Sequence, residues 1–176
     1  MKLIKYLMII FFFVSFLSCT EKKELPELPF SESNIIGSFK IQEINEKITT
    51  TVVTSGIEVE VAKTKSRADT FEVEFILNND NTYTVSGAYR KINTVTPTGK
   101  SSETSATIIT ITDSGIFSVD ETENKVTFSS QTKAFLEGTY LVTDFSEQRF
   151  AIQKDEVTVQ DQITATSDIE ISFVRQ

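Results

Sequence analysis

The sequence predicts an all-β protein, an antiparallel up-and-down meander of eight or nine strands that closes into a small barrel. Three observations predict it. Apolar and polar residues alternate with a period of two through most of the chain from Ile35 onward, the pattern of strands with one buried and one wet face. Short clusters of Asn, Asp, Ser and Gly interrupt the alternation at hairpin spacing. Four of the six glycines stand two residues before an aromatic: Gly37 before Phe39, Gly87 before Tyr89, Gly115 before Phe117 and Gly138 before Tyr140. A period of two puts each glycine on the same face as its ring. There it permits a sharp bend and leaves space for a neighbouring side chain, which is how a sheet coils into a barrel.

Ahead of the strands comes a leader. Lys2 and Lys5 precede an apolar run from Leu7 to Leu17, and the run ends at small Ser18. That order of charge, grease and small residue is a secretory signal, assigned here to residues 1–18. The run is shorter than the 20 or so apolar residues that cross a bilayer. Phe16-Leu17-Ser18-Cys19 resembles the lipobox of bacterial lipoproteins, with Phe16 where an aliphatic residue is usual. The resemblance implies cleavage before Cys19, a diacylglycerol on its thiol and an acyl chain such as palmitate on the new N-terminus. Each buried methylene contributes about 0.8 kcal/mol, so two or three chains anchor a domain where one would not.

Residues 19–30 read as a tether. Thr20-Glu21-Lys22-Lys23-Glu24 is charged, and Pro26 and Pro29 keep the segment up to Phe30 extended. Thr20 after the cysteine resembles lipoproteins sorted to the outer membrane, and the charged tetrad is loosely similar to signals that route some of them to the cell surface.

Residues 31–176 hold the folded domain. Its first strand comes after Asn34-Ile35-Ile36-Gly37, and the stretch from Ile48 to Asp69 reads either as a hairpin about Ser55-Gly56 or as one strand with a loop. Phe71-Glu72-Val73-Glu74-Phe75 alternates cleanly and ends at the turn Asn78-Asn79-Asp80-Asn81. Thr82 to Val85 is the next strand, and Ile92 to Glu103, with Pro97 and Gly99, reads as a long loop. Ile116 to Val119 and Lys125 to Phe128 flank an Asp/Asn turn at 120–124. Lys133-Ala134-Phe135-Leu136-Glu137 is the best helical stretch, at most a turn or two, stopped by Gly138. Arg149 to Ile152 and Asp168 to Phe173 complete the set.

Asn34 to Ile41, Tyr83 after Asn-Asp-Asn, Gly87-Ala88-Tyr89, Gly115-Ile116-Phe117 and the closing strand Ile169 to Arg175 together resemble the small lipocalin-like lipoproteins. Phe39 stands where that family has tryptophan, and the chain has no tryptophan. The resemblance implies a lipocalin-like barrel and a small hydrophobic ligand. A β-sandwich of adhesin type, working through its loops, is the alternative reading of the same strands.

Composition narrows the chemistry. The net charge is −8, and removing residues 1–18 takes two lysines and no acid, leaving 15 bases against 25 acids, or −10. Such acidity speaks against nucleic acid, which needs clustered Lys and Arg. With no histidine and Cys19 the lone cysteine, Ser-His-Asp and Cys-His nucleophiles and His/Cys zinc sites are excluded. Glu72 and Glu74 read as a solvated face, the Asn/Asp clusters as turns, and Lys63-Thr64-Lys65-Ser66-Arg67 as a small basic patch in a loop. The expectation is a non-enzyme with no cofactor.

What remains is the interior. Phe39, Phe71, Phe75, Tyr83, Tyr89, Phe117, Phe128, Tyr140, Phe150 and Phe173 all fall on the inward register. They would line a cavity for an apolar ligand, and the same set would equally make a dry, packed core.

Overall fold

The computed structural model describes residues 28–132 and 135–176. The signal, Cys19 and most of the tether lie outside these residues, as do Lys133 and Ala134. A single helical turn, α1 (Glu32–Ile35), precedes eight strands: β1 (Gly37–Thr54), β2 (Ile57–Leu77), β3 (Thr82–Pro97), β4 (Glu103–Asp120), β5 (Lys125–Ser130), β6 (Gly138–Phe145), β7 (Arg149–Gln160) and β8 (Ile163–Arg175). Each strand pairs antiparallel with its successor, and β8 returns to β1, so the sheet is a closed ring. This is the predicted meander. The ring rules out the sandwich, which needs two separate sheets.

Two details differ from the sequence reading. The segment Ile48 to Asp69 is a hairpin turning at Ser55-Gly56, in which Thr54 pairs with Ile57. The expected long loop from Ile92 to Glu103 is mostly strand: β3 runs on to Pro97 and pairs with β4, leaving only 98–102 between them. Pro97 is tolerated because it is the last residue of its strand. Along the expected helical stretch, Phe135, Leu136 and Glu137 are irregular.

Glycine and bulges bend the wall. A Cβ on Gly87 would lie 1.9 Å from the Glu72 carbonyl oxygen, and one on Gly115 would lie 2.1 Å from that of Ser129. Both glycines face inward beside aromatic neighbours, so backbone comes close where a side chain would keep it apart. Register shifts between Ile41 and Glu43, between Asp69 and Glu72, and between Val142 and Asp144 add local twist.

The two ends of the barrel differ. At one end the strand starts and tight turns gather. Here Asp80 accepts from the Thr82 N–H and hydroxyl, and Asp120 from the Thr122 and Glu123 N–H groups. The chain before β1 closes this end. Ile35 is fully buried, and Phe30 packs edge-on to Phe145 at 5.3 Å. Arg175 clamps the seam, donating to the carbonyls of Ile36 and Asn34 at 2.6 Å and stacking over Phe39 at 4.7 Å.

At the other end the wall is incomplete. β5 stops at Ser130 opposite Gly115, while β4 continues back to Glu103. Similarly β7 runs on to Gln160, past Gln153, the farthest residue that β6 pairs. Above the closed half, the barrel is therefore a curved, six-stranded trough in the order β4, β3, β2, β1, β8, β7.

Candidate functional site

The structure brings all ten sequence-predicted aromatics inside. Nine are buried and Phe71 is partly buried against them. Phe150 and Phe173 stack at 4.3 Å with their planes 9° apart. Phe128 sits at the centre of a cluster with Phe75, Tyr83, Phe117 and Tyr140 at 5.3 to 6.4 Å. Edge-to-face and offset contacts at these distances are what aromatic rings prefer. In the closed half the rings meet each other.

The segment between β5 and β6 roofs this half. Leu136 is fully buried, and its carbonyl lies 3.2 Å from the Tyr83 hydroxyl. Asp113, inward on β4, holds the roof in place. It accepts from the Thr132 hydroxyl at 2.7 Å, the Ser130 hydroxyl at 2.8 Å and the Ser114 N–H at 2.8 Å. Burial alone pushes the Asp113 carboxyl up, but those hydroxyls, with the Ser114 and Phe135 N–H groups, outweigh it and hold the group below the usual aspartate range. Tyr83 is pushed up to about 12, chiefly by burial, with the Asp113 charge adding to it.

Above the roof the trough opens. Its floor is Tyr89 stacked on Phe71 at 5.9 Å, flanked by partly buried Ile44, Ile109 and Ile169. Alternation past the β-bulge makes the inner face of β2 a row of small residues, Ala68, Ser66, Thr64 and Ala62. Small side chains there leave room over the floor. Across that row, Lys91 donates to Glu46 at 2.8 Å, with the two side chains only 31% and 19% exposed. Ser66 is buried, and the side-chain oxygen of Asn93 is buried with no hydrogen-bond partner among the described residues. Register puts Glu46, Ser66 and Asn93 side by side on neighbouring strands. Tyr89 is raised above the usual tyrosine range by burial and then by the Glu46 charge.

Sequence reasoning missed this polar group. Glu46 looks like an outward residue until the bulge at Ile41/Glu43 reverses the face of β1, and the bulge at Asp69/Glu72 does the same for Ser66 on β2. Lys91 and Asn93 simply continue the inward parity of Tyr89 along an unbroken β3. The available signal was the small-residue row on β2. Glu72 and Glu74 do lie on the wet face, as the alternation implies.

No protein-family model matches the chain, and no curated protein matches it. Among solved structures it is similar to the translocator domain of the autotransporter NalP from Neisseria meningitidis, at 10% identity and a TM-score of 0.35, covering 80% of this chain and 88% of that one. It is also similar to Ail, the attachment invasion locus protein of Yersinia pestis, at 9% identity and a TM-score of 0.27, covering 81% of this chain and 100% of that one. The barrel assignment rests on the strand ring itself. The wall's chemistry is informative in its own right: Lys40, Lys65, Arg67, Glu72 and Glu74 are exposed on the outside, and aromatics fill the inside. A barrel that spans a bilayer needs an apolar outer band about 25 Å tall. β1 and β2 present charge on that face, while β4 and β6 present Ile108, Ile116 and Leu141.

Proposed function

We propose that the protein is a lipoprotein anchored to the outer membrane through Cys19, whose lipocalin-like barrel binds one small, mainly apolar ligand in its open half without catalysing a reaction. The observation that supports the ligand is the pairing of an aromatic floor, Tyr89 on Phe71, with the orphaned Asn93 oxygen and the Glu46–Lys91 pair above it. Buried acceptors are nearly always satisfied, so a ligand with an apolar body and a hydroxyl or N–H group fits this trough. Architecture agrees with the tether: the chain enters at the closed end, beside α1, and the trough opens at the far end.

The test is mass spectrometry of organic extracts from full-length protein purified from its native membrane. A stoichiometric small molecule is expected, absent from a Tyr89→Ala/Phe71→Ala variant that retains its β-sheet spectrum. A clean extract, together with no uptake of an environment-sensitive apolar dye, overturns the reading.

A second reading has its own observation. Ile57, Val157 and Val159 at the open end are 65%, 63% and 67% exposed, so these hairpin tips suit contact with a protein partner. Loss of a co-purifying protein from an Ile57→Ser/Val159→Ser variant would favour it.

A further inference from the structure

The basic cluster seen in the sequence is not a loop. Lys63, Lys65 and Arg67 lie on β2, and because Thr64 and Ser66 face inward, all three cations face outward. Pairing then concentrates the charge. Lys47 on β1 stands directly opposite Lys65, and Asn45 opposite Arg67. On the other side of β2, Thr94 is opposite Lys65 and Ile92 opposite Arg67. Like charges facing each other across an antiparallel pair oppose folding, so this juxtaposition is a cost to the folded state.

The neighbouring acids relieve it only in part. Asp69 is taken by Arg90 in two bonds of 2.7 Å. Glu60 pairs with Lys63 at 3.0 Å, and Glu46 is turned inward to Lys91. Asp168 reaches Lys47 only at 3.6 Å and also accepts from Gln153 at 3.0 Å. Lys65 and Arg67 have no ion pair among the described residues. Glu170 lines the rim, and Glu43 on the same face accepts from the Asn45 side-chain amide at 2.8 Å.

These side chains also enclose space. A groove of about 460 Å³ runs between Lys47, Lys65, Arg67 and Thr94, with Asn45, Glu46, Ser66, Ile92 and Glu170 also lining it. Two ammonium groups and a guanidinium fork around one groove form a donor set for an anion with several oxygens; the Asn45 amide is engaged by Glu43 at 2.8 Å and the Thr94 hydroxyl by Thr104 at 3.1 Å. We propose that this groove binds a phosphate-type oxyanion, free or borne on a lipid headgroup. Its three cations lie on the outer face of the strands whose inner face forms the trough, with Glu46 and Ser66 common to both, and its test does not depend on the trough being filled.

Isothermal titration of the detergent-solubilised full chain, with inorganic phosphate, myo-inositol hexakisphosphate and dihexanoylphosphatidylglycerol as probes, decides the matter. The hexakisphosphate is expected to bind and to weaken with added salt. A Lys65→Ala/Arg67→Ala variant should bind it at least tenfold more weakly, while Lys100→Ala, outside the groove, should match the parent. Tighter binding of the short-chain lipid than of phosphate assigns the headgroup; equal or weaker binding assigns the free anion. A thermal melt gives an independent readout: without anion, Lys65→Thr should melt higher than the parent, and the hexakisphosphate should raise the parent's melting temperature but not the variant's. Absence of binding by all three probes, equal loss in Lys100→Ala, or an unchanged double variant overturns the proposal.

Discussion

The Tyr83 hydroxyl lies 3.2 Å from the Leu136 carbonyl and 3.4 Å from the Asp113 carboxylate, so one phenol ties β3 to β4 and to the roof over the aromatic core. Tyr83→Phe removes that tie and leaves the Leu136 carbonyl buried without it. A loss of about 1 to 2 kcal/mol is expected, read as a lower urea midpoint, with hydrogen exchange accelerated in the roof and in the adjoining part of β4.

Tyr83 and Asp113 contribute to opposite limits of pH stability. Asp113 is lowered in the folded state, so its contribution is complete above the ordinary aspartate value of 3.8 and is lost as pH falls through the lowered one. Tyr83 is raised to about 12 from 10.0, so the folded state holds its proton longer, and stability falls as pH rises from about 10 towards 12. Denaturation midpoints across pH should therefore drop at both extremes. Asp113→Asn should flatten the acid limb, and Tyr83→Phe the alkaline one.

Phe150 and Phe173 stack near the closed end, 1% and 0% exposed. Phe150→Ala opens a cavity between rings that cannot collapse onto each other. It should cost about 3 to 5 kcal/mol by chemical denaturation.

Gly87 allows the closest approach in the barrel wall. Gly87→Ala would place a methyl group 1.9 Å from the Glu72 carbonyl oxygen, and φ at this residue is +137°. The strands must separate there. The variant should either fail to fold or melt far below the parent, whereas Gly99→Ala, whose added Cβ meets nothing within 4 Å, should cost much less.

The anchor is tested at Cys19. Cys19→Ser should release the protein from membranes or leave its signal uncut, seen by fractionation and by the mass of the mature chain. Membrane retention with normal processing would refute the lipid anchor.

Much of this protein was legible without coordinates. Period-two alternation assigns the strands and the inward aromatics, because a side chain's face in a strand depends only on parity. Glycines placed two residues before rings foretold a coiled sheet, and Gly87 and Gly115 show why: backbone from the next strand occupies the space of a Cβ. Parity also fails at a bulge, and the sequence does not mark where one falls. The bulge at Ile41/Glu43 turns Glu46 inward, where it meets Lys91, which parity from Tyr89 already places inside. The run from Ile92 to Glu103 looked like loop because Pro97 and Gly99 punctuate it, yet pairing with β4 carries β3 to Pro97.

Local period and composition were enough to set which aromatics are buried, roughly how many strands there are and what chemistry is missing. Which strands outrun their neighbours, where the barrel opens and which charges face each other are properties of the closed ring. Lys47 and Lys65 are far apart along the chain and directly opposite in the sheet, and that register is set by a turn and a closed ring rather than by either residue's surroundings in sequence.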